Sequence, residues 1–154
     1  MEKIYFEIER KEINNNTKYV VKVQIGDLLK DKKIDDLPSK IEFLEKLYDK
    51  TITFCKQRFA EIKNANSKSR VFMYWEIANK LYNFLYTTEQ SGFIFNYPNR
   101  HFSRDLNISE RTIRRLLMFR KIISKKTALD STKPWTYYTR RYYRLAKDRK
   151  SEAL

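Results

Sequence analysis

The chain has 154 residues, 42% of them hydrophobic and 15% aromatic, which is enough for a buried core and too apolar for a disordered polymer. Two glycines and three prolines argue against an all-β sandwich, and one cysteine and one histidine exclude an intrachain disulfide and a Cys₂His₂ or His₃ metal site. The formal net charge is +14, of which residues 98–154 carry +11 (16 basic, 5 acidic), residues 39–97 +3 (9 and 6) and residues 1–38 none (8 and 8).

Charge concentrated in the last third is the electrostatic footprint of a polyanion binder, because a solubility device has no reason to gather in one segment. No run of 18 apolar residues occurs, and the N-terminal MEKIYFEIERKE lacks the features of a signal peptide. The expectation is a soluble, cytoplasmic, nucleoid-associated protein with no membrane contact.

In chain order, Ile4, Phe6 and Ile8 alternate with polar neighbours, Asn14–Thr17 interrupt, and Tyr19, Val21, Val23 and Ile25 alternate again. Two period-2 runs about an Asn-rich turn predict a β-hairpin, which must pack on something to be stable. Asp35–Lys40 is a breaker and helix start with Ser39 as N-cap. Ile41, Leu44, Tyr48, Ile52, Cys55, Phe59 and Ile62 then recur at helical spacing over 39–63, about 37 Å of helix. Cys55 reads as a small buried hydrophobe. Phe43, Leu47 and Phe54 lie off that stripe, so a second face of the helix is apolar. A second helix is predicted over 70–87, with Val71, Trp75, Ala78, Leu81 and Leu85 on one face. Gly92 marks its exit, and FIFNYP reads as a short strand.

The stretch FSRDLNISERTIRRLL, residues 102–117, meets the steric demands of two helices crossing at a tight turn. Ser103 is small, Asn107 tolerates left-handed geometry, Ile108 is an apolar plug, Ser109 is an N-cap, and Ile113 and Leu116 face inward. Arg111, Arg114 and Arg115 then lie on or beside the opposite face. DLNISERTIRRL resembles the turn and recognition helix of the helix-turn-helix superfamily. The next segments of the chain, RKIISKKTALD, STKP and WTYYTRRYYRL, are similar to the wing of a winged helix-turn-helix, so the resemblance covers about residues 70–147. Residues 134–149 carry two readings. Thr and Tyr content favours a strand, while Trp135, Tyr138, Tyr142 and Leu145 also fit an amphipathic helix.

The expected fold is α+β, mainly α: an N-terminal hairpin and long helix (residues 1–69, for dimerisation or partner contact), then a winged helix-turn-helix (residues 70–154). The resemblance implies DNA contacts from Ser109, Arg111, Thr112, Arg114 and Arg115 on the recognition helix. It adds Arg100 and Arg104 before the turn, and Lys125, Lys126, Lys133, Arg140 and Arg141 in the wing. Trp135, Tyr137 and Tyr143 are further candidates for stacking on unpaired bases.

Enzymatic chemistry finds little footing. Asp31-x-Lys33 has the spacing of some nuclease cores but lacks a preceding strand-borne carboxylate. The only glycines, Gly26 and Gly92, make no phosphate loop. No catalytic residue, metal or cofactor is expected, and His101 reads as a phosphate or core hydrogen-bond contact. The sequence therefore points to a non-enzymatic, sequence-specific double-stranded DNA-binding protein. It would be a transcription regulator or a replication or partition protein of a mobile element, binding as a homodimer. The alternative is a DNA-targeting module of a nuclease or restriction-type assembly. FMYWEIANKL resembles a helix that opens the N-terminal domains of some PD-(D/E)XK-associated proteins. An RNA-binding accessory protein is a third reading.

Overall fold

A computed structural model describes residues 3–24, 36–130 and 132–142, with the side chains at 141 and 142 excepted. Asp31-x-Lys33, the Arg141 side chain, Tyr143 and the second half of the expected wing lie outside the described residues.

The hairpin forms as the alternation predicts. Strands β1 (Ile4–Ile13) and β2 (Asn16–Val23) pair antiparallel, with Ile13 opposite Asn16. Asn14 (φ 49°) and Asn15 (φ 65°) are both left-handed, the geometry of a type I′ turn, whose twist matches that of the strands. Ile4, Phe6, Ile8, Tyr19 and Val21 point inward. Strand β3 (Phe93–Phe95) completes the sheet in the order β2-β1-β3, running parallel to β1 with Ile4 opposite Phe93.

Helix α1 (Leu37–Ile62) begins before the expected Ser39 cap: Asp36 stands at the N-cap in left-handed geometry, and Pro38 occupies the first turn. Proline suits that position because its missing N–H has no helical partner there. Helix α2 (Ser67–Gln90) is capped by the Asn66 side chain, which accepts from Ser69 N at 2.9 Å. Beyond its Ser91 C-cap the chain turns away at Gly92, whose φ of +87° few other residues adopt. Helices α3 (Pro98–Leu106) and α4 (Glu110–Ile122) come next, joined by Asn107, Ile108 and Ser109.

The core is shared by all these elements. Tyr48 of α1 is fully buried, with edge-on contacts to Tyr19, Phe84 and Phe95 and a stack on Phe102. Residues on both sides of the expected boundary at 69/70 belong to this one cluster. Of the residues off the α1 stripe, Leu47 and Phe54 pack against the core. Arg58 and Lys80 each lie 5.0 Å from the Phe54 ring. Phe43 is left 50% exposed. The second apolar face is therefore much smaller than the sequence implied.

Of the two readings of residues 134–149, the described part takes the helical one in place of the favoured wing strand. After a single 3₁₀ turn (Lys126–Ala128), the described chain becomes helical, as α5 (Trp135–Tyr137) widening into a π-helical stretch (Tyr138–Tyr142). Strand propensity loses here to packing. Helical spacing brings Trp135 onto Tyr74 (stacked, 4.4 Å) and edge-on to Phe119 (5.0 Å), and puts buried Tyr138 5.2 Å from Phe119. The Tyr138 hydroxyl accepts from Asp130 N at 2.9 Å and closes the preceding loop.

Candidate nucleic-acid interface

The turn between α3 and α4 is built from its own side chains. Asn107 (φ 55°, ψ 47°) ends α3 in left-handed geometry, and its N–H donates to Ser103 O. The Ser103 hydroxyl donates to the Ile108 carbonyl at 2.5 Å, so the small residue also clamps the turn. Ser109 caps α4 by accepting from Thr112 N at 3.2 Å, and the two hydroxyls lie 2.9 Å apart. Glu110 at the start of α4 suits the positive end of the helix dipole. Ile113, Leu116 and Phe119 are buried against the rest of the core.

A buried network fixes α3 beneath this turn. The Tyr48 hydroxyl donates to Asp105 Oδ2, and Arg104 donates to both oxygens of the same carboxylate at 2.8 Å. Arg104 Nη2 also reaches the Ile8 carbonyl on β1 at 3.1 Å. Burial first, then the Asp105 charge, pushes the Tyr48 phenol up, and Tyr19 is pushed up to about 12 in the same order of causes. Beside this network, His101 is 5% exposed and stacks on Phe95. It lies 3.3 Å from Glu7 Oε1 without the alignment of a hydrogen bond, and neither ring nitrogen has a hydrogen-bond partner among the described residues. Burial, and then Arg104, lower its pKa against the pull of Glu7 and Asp105. The histidine is a core residue.

On the outward side of α4, Arg111, Arg114, Arg115, Leu117, Met118 and Lys121 line a groove of about 1010 Å³. Tyr82 and Leu85 of α2, Asn99 of α3, and Thr139 and Arg140 complete it. Arg111, Arg114 and Arg115 have no ion-pair partner among the described residues. Some cations elsewhere do have carboxylate partners: Lys3 with Glu89, Lys22 with Glu9, Arg58 with Glu61 and Glu76, and Arg104 with Asp105.

The other residues expected at the interface divide. Arg140 joins the arginines of α4 in the groove. Ser109 and Thr112 serve the cap, as described. Arg104 is held by Asp105 and Ile8. Arg100 is exposed, its guanidinium 4.7 Å from the Tyr97 ring. Lys126 pairs with Glu76 at 3.3 Å and lies over Phe72, Lys133 lies over Tyr137, and Lys125 is exposed. Sequence reasoning missed Lys121, Leu117 and Met118 on α4 itself, and Tyr82, Leu85, Asn99 and Thr139 from other segments. Lys121 was legible, at i+7 and i+6 from Arg114 and Arg115 on the same helix. The α2 and α3 members come from elements whose placement beside α4 no local pattern reveals. Arg120 looks equally cationic in sequence, but its Nε donates to Asn79 Oδ1 at 2.8 Å and its guanidinium covers Tyr82 at 4.4 Å.

Among the described residues, no group of three His, Cys, Asp or Glu side chains could hold a metal ion, and no helix is long and apolar enough to cross a membrane. Cys55 is buried, its thiol pushed up to about 12 by that burial. No protein-family model matches the chain, and neither a curated protein nor a solved structure matches it.

Proposed function

We propose that the chain is a non-enzymatic, sequence-specific double-stranded DNA-binding protein that presents α4 to the major groove. The observation that carries this reading is the set of arginines on the outward face of a capped helix, without ion-pair partners among the described residues, lining one groove together with Lys121 and Arg140. Unpaired guanidiniums along one helix repel one another, and phosphates or guanine edges relieve that repulsion. The left-handed turn at Asn107 and the Ser109 cap give α4 the fixed approach that base readout needs. A regulatory role and a role in replication or partition of a mobile element fit this chemistry equally.

Homodimer formation through the N-terminal half belongs to the same reading. It is supported by Phe43, half exposed on α1; a two-fold dimer would set two recognition helices about 34 Å apart.

Selection of bound fragments from random duplex DNA by the full chain tests the proposal. The expected result is an enriched sequence motif whose affinity falls steeply with salt. Enrichment of no motif, or equal competition by duplex RNA, would refute it.

A further inference from the structure

The polar lining of the α4 groove is explained by a polyanion, and its Tyr82, which Arg120 covers, belongs to the fold, but one apolar residue has neither explanation. Met118 sits on the outward face of α4, four residues after Arg114, three after Arg115 and three before Lys121. Leu117 and Leu85, also in the groove, pack against the core as well; among the described residues Met118 is not one of the apolar side chains that do so. Phosphate binding gives no reason for a thioether there, since any polar side chain among the arginines would serve it better. Among the described residues the face of α4 opposite the core is otherwise cationic, and fold stability gives no reason for a thioether there either.

A partner that is anionic overall and yet offers a small apolar group at the centre of the contact meets both conditions. Duplex DNA has such a group. The C5-methyl of thymine is the apolar feature that standard base pairs display in the major groove, flanked by acceptors on neighbouring bases and by phosphates at the rim. Methionine suits the role because its unbranched, polarisable side chain adapts to a shallow apolar bump. We propose that Met118 is a specificity-determining residue that reads a thymine methyl, with the surrounding arginines holding phosphates and guanine edges. The inference rests on the duplex reading above and adds to it the base at the centre of the site.

The test uses the full-length protein and the duplex it selects from a random pool, resynthesised with deoxyuridine at each thymidine in turn. Uracil keeps every hydrogen-bonding group and lacks only the methyl. The wild-type chain is expected to lose about fourfold in affinity at one or two positions, the equivalent of roughly 0.8 kcal/mol for one buried methyl-sized group. Met118→Ala and Met118→Gln are expected to bind the thymine and uracil duplexes equally while keeping the salt dependence of the wild type. Circular dichroism checks that both variants fold. Indifference of the wild type to uracil at every position overturns the inference, as does a uracil penalty that persists in both variants. Failure to select any duplex defeats the duplex reading itself and the inference with it, an outcome distinct from the other two.

Discussion

Arg111, Arg114, Arg115 and Arg104 are close in sequence and differ in what they can do. The first three face an open groove without carboxylate partners among the described residues, whereas Arg104 is bound to buried Asp105 and to the Ile8 carbonyl. Alanine at each of the first three is expected to weaken DNA binding, with at least one relaxing base preference by about 1–3 kcal/mol. Binding measured against single-base variants of the selected site checks this, and an equal loss on every sequence in all three variants would mean that α4 touches only backbone. Tyr48→Phe strips a donor from the buried Asp105 carboxylate and is expected to destabilise the fold by about 1–3 kcal/mol in urea denaturation. His101 supplies a pH dependence of definite sign. Its pKa is depressed in the folded chain, so folding favours the neutral ring. That contribution is fully present above the ordinary histidine value of about 6.5 and is lost as pH falls from there toward the folded value. The urea midpoint should therefore drop between neutral and mildly acidic pH, and His101→Gln should flatten that part of the profile.

At the level of elements, the turn before α4 is the most sharply specified piece of the chain. Asn107 has a positive φ, which β-branched residues adopt only under strain. Asn107→Val is expected to cost about 1–2 kcal/mol of stability, while Asn107→Gly should stay within a few tenths. Equal effects of the two in urea titrations would show that backbone geometry is not what the asparagine supplies. This turn was legible because its requirements are local: a small residue, a left-handed residue, a cap and two inward aliphatics within a dozen positions. The hairpin was legible for the same reason. The segment after α4 was only half legible, since the helical spacing of Trp135 and Tyr138 was visible but did not outweigh composition. Its threonines and tyrosines favour a strand, yet the contacts that decide are Trp135 on Tyr74 and Tyr138 on Phe119, made with α2 and α4. The parallel pairing of β3 with β1 was equally hidden, since two short apolar runs far apart carry no mark of being neighbours.

For the molecule as a whole, the basic last third is expected to set the strength of binding. If about 6 to 8 phosphates are neutralised, log K should fall with log salt at a slope of roughly −5 to −7. Fluorescence anisotropy across a salt series measures it, and a slope near zero would remove the electrostatic argument. Separating the halves by truncation is the wrong way to ask where binding resides, because Phe93, Phe95 and Phe102 lie in the same core as Phe6 and Tyr48. Charge-removing substitutions in the intact chain are the informative route. Sedimentation of the free and DNA-bound protein at micromolar concentration decides the dimer. The expected outcome is two chains on an inverted repeat, and a monomer in both states on a single half-site would count against it.

The pairing of Ile4 with Phe93 also governs when the protein can finish folding. As the chain leaves the ribosome, β1 and β2 emerge well before β3 and can zip through their asparagine turn. The other edge of β1 must wait for a strand made about ninety residues later. Until then the inner face of the hairpin has only α1 and α2 to cover it. Contacts that span so much sequence raise the barrier to folding and prolong the exposure of apolar surface. The nascent N-terminal half is thus the interval of greatest risk for aggregation, and it closes only when the short FIF strand arrives immediately ahead of α3 and α4.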